Sequence, residues 1–243
     1  TLYSTELTNG RRIHNNGIEM LISGTPVNTP KGFRWDAAVN VAVNRNKVLE
    51  LIEGVSEVLL GSDRNIRITA KPGQPYGMVN AADYAYLRDE KGNRMIDEQG
   101  LPIVQNIQTL ELGNANPRWT GGVSNTFSFK GFSFGSLIDI RQGGIIFSQG
   151  RVQEAAYGTS KRTLEGREGG LIASGVKAHL DNGKWVSSGE ANDIATNAQD
   201  YWNRVASDKG FAVAEDFIYD ASYIAIRELR LSYQLPKTWF GMQ

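Results

Sequence analysis

The chain has 243 residues, 40% of them hydrophobic and 21% charged, with 26 basic residues balanced by 26 acidic ones. This excludes a disordered chain, bounds the protein to one large domain or two small ones, and leaves no net field to gather nucleic acid or an anionic surface. Cysteine is absent, which excludes a disulfide framework, a thiol nucleophile and a Cys-ligated metal.

Glycine is frequent at 27 residues against 7 prolines. With aromatic and β-branched runs, this favours a turn-rich β protein. Nowhere do about 18 apolar residues run together, so no transmembrane helix is written. A transmembrane barrel stays open, because it hides its apolar band by alternation. The opening TLYSTELTNG has neither the basic nor the apolar segment of a secretory signal, so any targeting sequence is expected upstream.

Residues 18–27, IEMLISGTPV, and 33–44, FRWDAAVNVAVN, predict a hairpin around a loop at Asn28–Lys31. Matching apolar with apolar sets Trp35 beside Gly24, Ala37 beside Ile22, Val39 beside Met20 and Val41 beside Ile18. The other face then joins Arg34 with Thr25, Asp36 with Ser23 and Asn40 with Glu19. Further on, LRDEKGNRMIDEQGLPI (87–103) predicts a short exposed hairpin with glycine-centred turns.

The clearest pattern is 118–141. Odd positions carry Trp119, Gly121, Val123, Asn125, Phe127 and Phe129; beyond Lys130-Gly131 the parity flips to Phe132, Phe134, Ser136, Ile138 and Ile140. A two-residue turn pairs Phe129 with Phe132, Phe127 with Phe134 and Val123 with Ile138. Its other face joins Thr126 with Gly135, Gly122 with Asp139 and Thr120 with Arg141. Residues 150–207 mix glycine with RVQEAAY and ANDIATNAQDYWNRVAS, which predict short helices in a long loop. The last pattern, YIAIRELRLSYQLP (223–236), alternates Leu229, Leu231, Tyr233 and Leu235 against Glu228, Arg230, Ser232 and Gln234.

These strands run to about 10–12 residues, whereas soluble sheets favour about 5 or 6. A tilted strand crossing a bilayer needs about 9–11, giving roughly 25 Å of apolar height. On that reading lipid meets Trp35, Val39, Val41, Trp119, Val123, Phe127, Phe129, Phe132, Phe134, Ile138 and Ile140. A wet lumen meets Arg34, Asp36, Arg118, Asp139, Arg141, Glu228 and Arg230. Trp35 and Trp119, near strand ends, suit an interfacial girdle. A large soluble β-sandwich alternates in the same way, and the pattern alone leaves both open.

Catalytic signatures are missing. His14 and His179 stand far apart in polar surroundings and read as strand-end or loop residues. There is no H-E-x-x-H, phosphate loop, G-x-S-x-G or EF-hand loop. Asp89, Glu90, Asp97 and Glu98 either bracket a cation or solvate a hairpin, the latter being the plainer reading. Tyr76, Tyr84, Tyr86, Trp185, Tyr201 and Trp202 fall in expected loops, as platforms for sugar or peptide, or as loop packing and partner contacts. No cofactor, metal or catalytic residue is expected.

Six phrases in order carry a resemblance. They are NNGIEMLISGTPV with GFRWDAAVNVAVNRNKVLEL (15–51), KPGQPYG (71–77), DEKGNRMIDEQGLPIV (89–104), GNANPRWTGGVSNTFSFKGFSFGSLIDIRQGG (113–144), GREGGLIASGV (166–176) and DASYIAIRELRLSYQLPK (220–237). Together they resemble the C-terminal barrel region of SusC/RagA-type TonB-dependent outer-membrane transporters. The resemblance implies an all-β fold, part of a large antiparallel transmembrane barrel with long extracellular loops containing short helices. It implies import of oligosaccharides or peptides past an N-terminal plug, powered through TonB and capped by a SusD-like surface lipoprotein. The implied location is the outer membrane of a Gram-negative, Bacteroidota-like cell. Residues 1–243 are then one partial barrel domain, with signal peptide, plug and final strands outside the chain. A soluble carbohydrate-binding β-sandwich on the cell surface is the alternative.

Overall fold

The structure, a computed structural model, describes residues 12–207 and 212–235. Period-two alternation makes the first hairpin, β1 (Arg12–Asn28) and β2 (Phe33–Glu50). The chain then forms β3 (Val58–Asp63), β4 (Ile66–Ala70), β5 (Met78–Tyr86), β6 (Met95–Ile96) and β7 (Val104–Asn114). It returns as a second long hairpin, β8 (Trp119–Phe129) and β9 (Phe132–Gln142). A second excursion holds β10 (Ile145–Phe147), α1 (Gln149–Ala156), β11 (Val176–Asp181), β12 (Lys184–Ala191), α2 (Ala198–Val205) and β13 (Ile218–Asp220). The described chain closes on β14 (Tyr223–Tyr233).

The long strands make one antiparallel sheet in the order β1-β2-β8-β9-β14. At one end its connections are tight turns, Thr29–Gly32 and Lys130-Gly131. Both excursions leave from the other end. In the second turn Lys130 and Gly131 have φ of 47° and 86°, the paired left-handed residues of a type I′ turn, whose twist matches the strands it joins. The β8–β9 register is the expected one throughout, from Phe129 opposite Phe132 to Thr120 opposite Arg141.

The β1–β2 register differs. Gly24 faces Ala37, Ile22 faces Val39 and Met20 faces Val41, with Leu21 rather than Glu19 opposite Asn40. The cause is Pro26. Having no N–H, it cannot join the ladder, and the pairing is interrupted between Gly24 and Val27. The strand consequently runs on to Asn28, opposite Arg34, and the turn begins later than expected. Because the displacement is an even number of positions, every side chain from Ile18 to Gly24 keeps its face, and past the interruption Val27 comes to the apolar side opposite Trp35. A second irregularity, between Ile226 and Glu228, explains why apolar residues change parity from Ile224 and Ile226 to Leu229 and Leu231. A bulge at Arg227 turns the strand over, so all four stay on one face.

The two excursions fold together into a dome. Its sheets run β3-β4-β5-β7 and β12-β11-β6, with β10 paired to β13. A core of Tyr86, Val152, Trp202, Val205, Val213 and Phe217 draws on both excursions. Asn65 joins them as well: its Oδ1 accepts from the Ala212 N–H at 2.8 Å, and its carbonyl accepts from Ala82 at 2.8 Å. The upper end of β2 is bound into this dome, with Val48 fully buried and its N–H donated to the Gln74 carbonyl.

Residues 87–103 are not the exposed hairpin their charges suggest. Met95, Ile96 and Ile103 are buried, and β6 pairs in parallel with β11. Two successive Asp-started turns, closing at Gly92 and Gly100, put only the loop tips in water. The short helices appear as α1 and α2, capped by Ser148 and Asn197. The β11–β12 hairpin, turning through Asn182-Gly183, is an addition to what the sequence reading held.

Candidate functional site

The main sheet is two-faced across all its strands. On one face, rows run Met20–Val41–Gly121–Ile140–Ile224 and Ile22–Val39–Val123–Ile138–Ile226. Nearer the tight turns come Val27–Trp35–Phe127–Phe134–Leu231 and Phe33–Phe129–Phe132–Tyr233. Nothing among the described residues covers this face: Ile224 is 75% and Leu231 76% exposed. So wide an uncovered apolar surface is foreign to a soluble monomer, where contiguous patches stay at roughly a few hundred Å².

Aromatic rings gather at the turn end. Trp35 stacks on Phe127 at 5.8 Å, Phe127 on Phe134 at 6.4 Å, and Phe132 meets Tyr233 at 4.4 Å. The Trp35 indole Nε1 donates to Asn125 Oδ1 at 3.1 Å, which satisfies a polar atom that the apolar face could not. Trp119 stands at the opposite, dome end, level with Gln142. All eleven residues expected on the apolar side lie on this face.

The reverse face is polar. Asp139 on β9 accepts from Arg227 Nε at 3.0 Å, Arg227 Nη2 at 2.8 Å and the Tyr223 hydroxyl at 2.9 Å. Arg34 Nε meets Asp36 Oδ2 at 2.7 Å, and Thr25 donates to Asp36 at 2.6 Å. Arg230 lies 3.6 Å from Glu228, and Arg141 Nη2 donates to the Ala115 carbonyl at 2.7 Å. Six of the seven expected polar residues therefore share this side. Arg118 does not sit within a strand: it precedes β8, pairs its N–H with the Gln142 carbonyl and lies beside Gly143 at the seam with the dome. Arg227 was overlooked, although the parity change beside it is visible in the sequence. Large apolar residues on this face include Leu21 and Leu137, with Ile13 and Val48 at its dome end.

In the dome, the candidate aromatics separate. Tyr86 on β5 and Trp202 on α2 are core residues, and Tyr201 packs edge-on to Trp202 at 5.2 Å. They support the loops rather than present a platform; Trp185 on β12 is exposed. The Tyr86 hydroxyl donates to Asp216, which Arg94 also meets at 2.7 Å while its guanidinium lies 3.9 Å over the Tyr86 ring. Burial, then the Asp216 charge, pushes the Tyr86 phenol far above its ordinary range.

The two aspartates of the acidic quartet hold turns. Asp89 Oδ1 accepts from the N–H groups of Lys91 and Asn93, and the Asn93 side chain leads in holding its carboxyl below the usual range. Asp97 Oδ1 accepts from Gln99 and Leu101 in the same geometry. Among the described residues no group of His, Asp and Glu is arranged to hold a metal ion. His14 and His179 lie on β1 and β11, opposite Lys47 and Val186.

An open five-stranded wall, apolar and uncovered on one side and polar on the other, is part of a large antiparallel β-barrel of the outer-membrane type. No helix among the described residues is long and apolar enough to cross a membrane. No protein-family model matches the chain. The sequence is 25% identical to "TonB-dependent receptor P26" of Formosa agariphila over all of this chain and 24% of that protein. It is 21% identical to "TonB-dependent receptor P3" of the same organism over 98% of this chain and 23% of the other. The fold matches the RagAB peptide transporter with a TM-score of 0.59 at 19% identity, covering 97% of this chain and 24% of that one. A closed-closed state of the RagAB importer matches with 0.55 at 17% identity, covering 97% and 24%. The resemblance to SusC/RagA-type TonB-dependent transporters is thereby borne out. The chain spans about a quarter of the length of the curated relatives it matches.

Proposed function

We propose that residues 1–243 are one stretch of the barrel of an outer-membrane nutrient importer of the TonB-dependent, SusC/RagA kind. The observation that carries the reading is the uncovered apolar face, five strands wide, backed by charged residues. In that role Trp35, Val39, Val41, Val123, Phe127, Phe134, Ile138 and Ile140 meet lipid, and Trp119, Phe129 and Phe132 lie towards its two rims. Asp36, Asp139, Arg141, Arg227, Glu228 and Arg230 keep the inner wall wet, with Arg34 at its turn end and Arg118 at its dome end. Their ion pairs stay in water, since Lys or Arg on a lipid face costs roughly 2–4 kcal/mol at midplane.

Short turns at one end and a folded dome at the other set the orientation, because such barrels turn tightly on the periplasmic side and extend their loops outward. Both sheet edges, β1 and β14, must pair with further strands, as an open edge does not survive in hydrocarbon. The cargo is a peptide or an oligosaccharide; the similar RagAB structures describe a peptide transporter. A SusD-like lipoprotein over the dome and TonB coupling through another part of the protein complete the assembly. The segment moves its cargo without covalent chemistry.

The test is to delete the gene, follow uptake of labelled peptides and glycan fragments, and fractionate the full-length product. Outer-membrane fractionation with loss of uptake supports the proposal. A soluble, detergent-independent product would overturn it and favour a soluble β-sandwich, against which the uncovered apolar face already speaks.

A further inference from the structure

Towards the dome, the apolar face of the main sheet changes character within one step. Ile18 opposite Val43 is its last apolar pair between β1 and β2. The next two pairs on that face are Asn16 with Arg45 and His14 with Lys47, and all four residues are exposed. Trp119, one residue past the Ala42–Thr120 pair, stands level with the last apolar row. The order along the wall is therefore aliphatic band, indole, then cations. The zero net charge of the chain hides this local excess.

The nearby acids are engaged or turned away. Glu50 pairs with Arg12 at 3.9 Å, and Glu19, opposite Ala42, lies on the reverse face. Among the described residues Arg45 and Lys47 form no salt bridge. Two steps along a strand separate them by on the order of 7 Å, so a guanidinium fork and an ammonium can close on one phosphate. Beside Arg45 the wall also opens. Pairing of β2 with β8 ends at Ala42, and a hollow of about 760 Å³ lies beyond it, bordered by Arg45, Asn46, Asn116 and Arg118. Its one acidic lining residue, Asp220, accepts from Ser222.

We propose that this rim holds a phosphorylated glycolipid of the lipid A type, its phosphate between Arg45 and Lys47 and its acyl chains on the apolar rows below. Adjacent basic and apolar zones match the two halves of one amphiphile, whereas a soluble anion would use only the first. His14 adds a third donor opposite Lys47, and the hollow beside Arg45 gives the headgroup sugar room. The inference rests on the reading of the sheet as a membrane wall with its dome outward, and names a lipid for that wall.

Calorimetry on the full-length protein in neutral detergent tests it, using lipid A, the same lipid stripped of phosphate, and inorganic phosphate. Lipid A should bind about tenfold more tightly than its dephosphorylated form, less so as salt is added, and inorganic phosphate should bind far more weakly than either. Substituting both exposed cations, Arg45→Gln with Lys47→Gln, should remove most of that preference without lowering the melting temperature. Lys130→Gln, at the tight-turn end, should leave it intact. Should the double variant fail to assemble, Lys47→Gln alone decides, with a loss of about threefold or more. Equal binding of the two lipids, phosphate binding as tightly as lipid A, or unchanged preference in the folded rim variants overturns the proposal. So does an equal loss in Lys130→Gln. Phosphate-selective lipid binding by a protein that imports nothing in cells would fault the import reading and leave the rim; import without lipid selectivity would fault the rim alone.

Discussion

Trp35 and Asn125 meet on the apolar face, indole Nε1 to amide Oδ1 at 3.1 Å, one strand apart and far apart in sequence. The pair resolves a conflict between two residues whose polar atoms no aliphatic neighbour on that face can satisfy. Asn125 looks like an error in an otherwise apolar row until this bond is seen. Removing it with Asn125→Ala should cost about 1 kcal/mol, the scale of side-chain hydrogen bonds in membrane proteins. In a Trp35→Phe background the same substitution should cost almost nothing. Urea unfolding of the full-length protein in vesicles measures the cycle; additive losses would show that the bond is energetically silent.

Parity gives the sharpest prediction for the wall. Phe127 and Ile138 stand in the exposed apolar rows, while Thr126 faces Asp36 and Gly135 on the polar side. Phe127→Arg or Ile138→Arg should block membrane assembly, each carrying a penalty of roughly 2–4 kcal/mol near midplane. Thr126→Arg should assemble, because it points into water beside a carboxylate. Outer-membrane yield of the full-length variants reads this directly, and equal tolerance at the two parities would refute a lipid-facing side.

The dome has its own linchpin. Asn65 is buried and receives the Ala212 N–H, joining excursions that the sequence separates widely. Asn65→Ala leaves that buried N–H unpaired and should destabilise the dome by about 1–3 kcal/mol. Hydrogen exchange at Ala212 and the rate of nicking by protease should both rise while the barrel still assembles. Unchanged exchange at Ala212 would show that the contact is incidental.

What the sequence made readable follows from where one physical rule acted alone. In β8 and β9 a two-residue turn and strict alternation leave one possible register, and that register is found. In β1 and β2 the faces were readable but the pairing was not, because Pro26 removes a donor and displaces the ladder by an even step. At Arg227 the same kind of irregularity left a trace, the change of apolar parity, so its place beside Asp139 could have been found. Asn182-Gly183, a strong hairpin signal, went unused because the surrounding strands are short and mostly exposed. The dome core was out of reach: Tyr86, Trp202 and Phe217 come together through long-range packing that no local period encodes. For that reason residues suited to a binding platform proved to be core, and an acidic hairpin proved to be buried at its stem.

Tyr86 makes the dome sensitive to alkali. Burial first, and the Asp216 charge second, raise its folded pKa above the value in the unfolded chain. A raised folded pKa means that the unfolded state gives up its proton first as pH rises. The stabilisation is therefore complete below the unfolded value of about 10 and is lost progressively above it. Dome stability, followed by the fluorescence of buried Trp202, should fall from about pH 10 upward. Tyr86→Phe keeps the ring and the Arg94 contact to Asp216 but deletes the ionisable group. It should cost about 1 kcal/mol at neutral pH and flatten the alkaline slope, so that variant and parent converge as pH climbs. An identical slope in the variant would locate the alkaline loss elsewhere, Tyr201 being the neighbouring phenol also raised by burial.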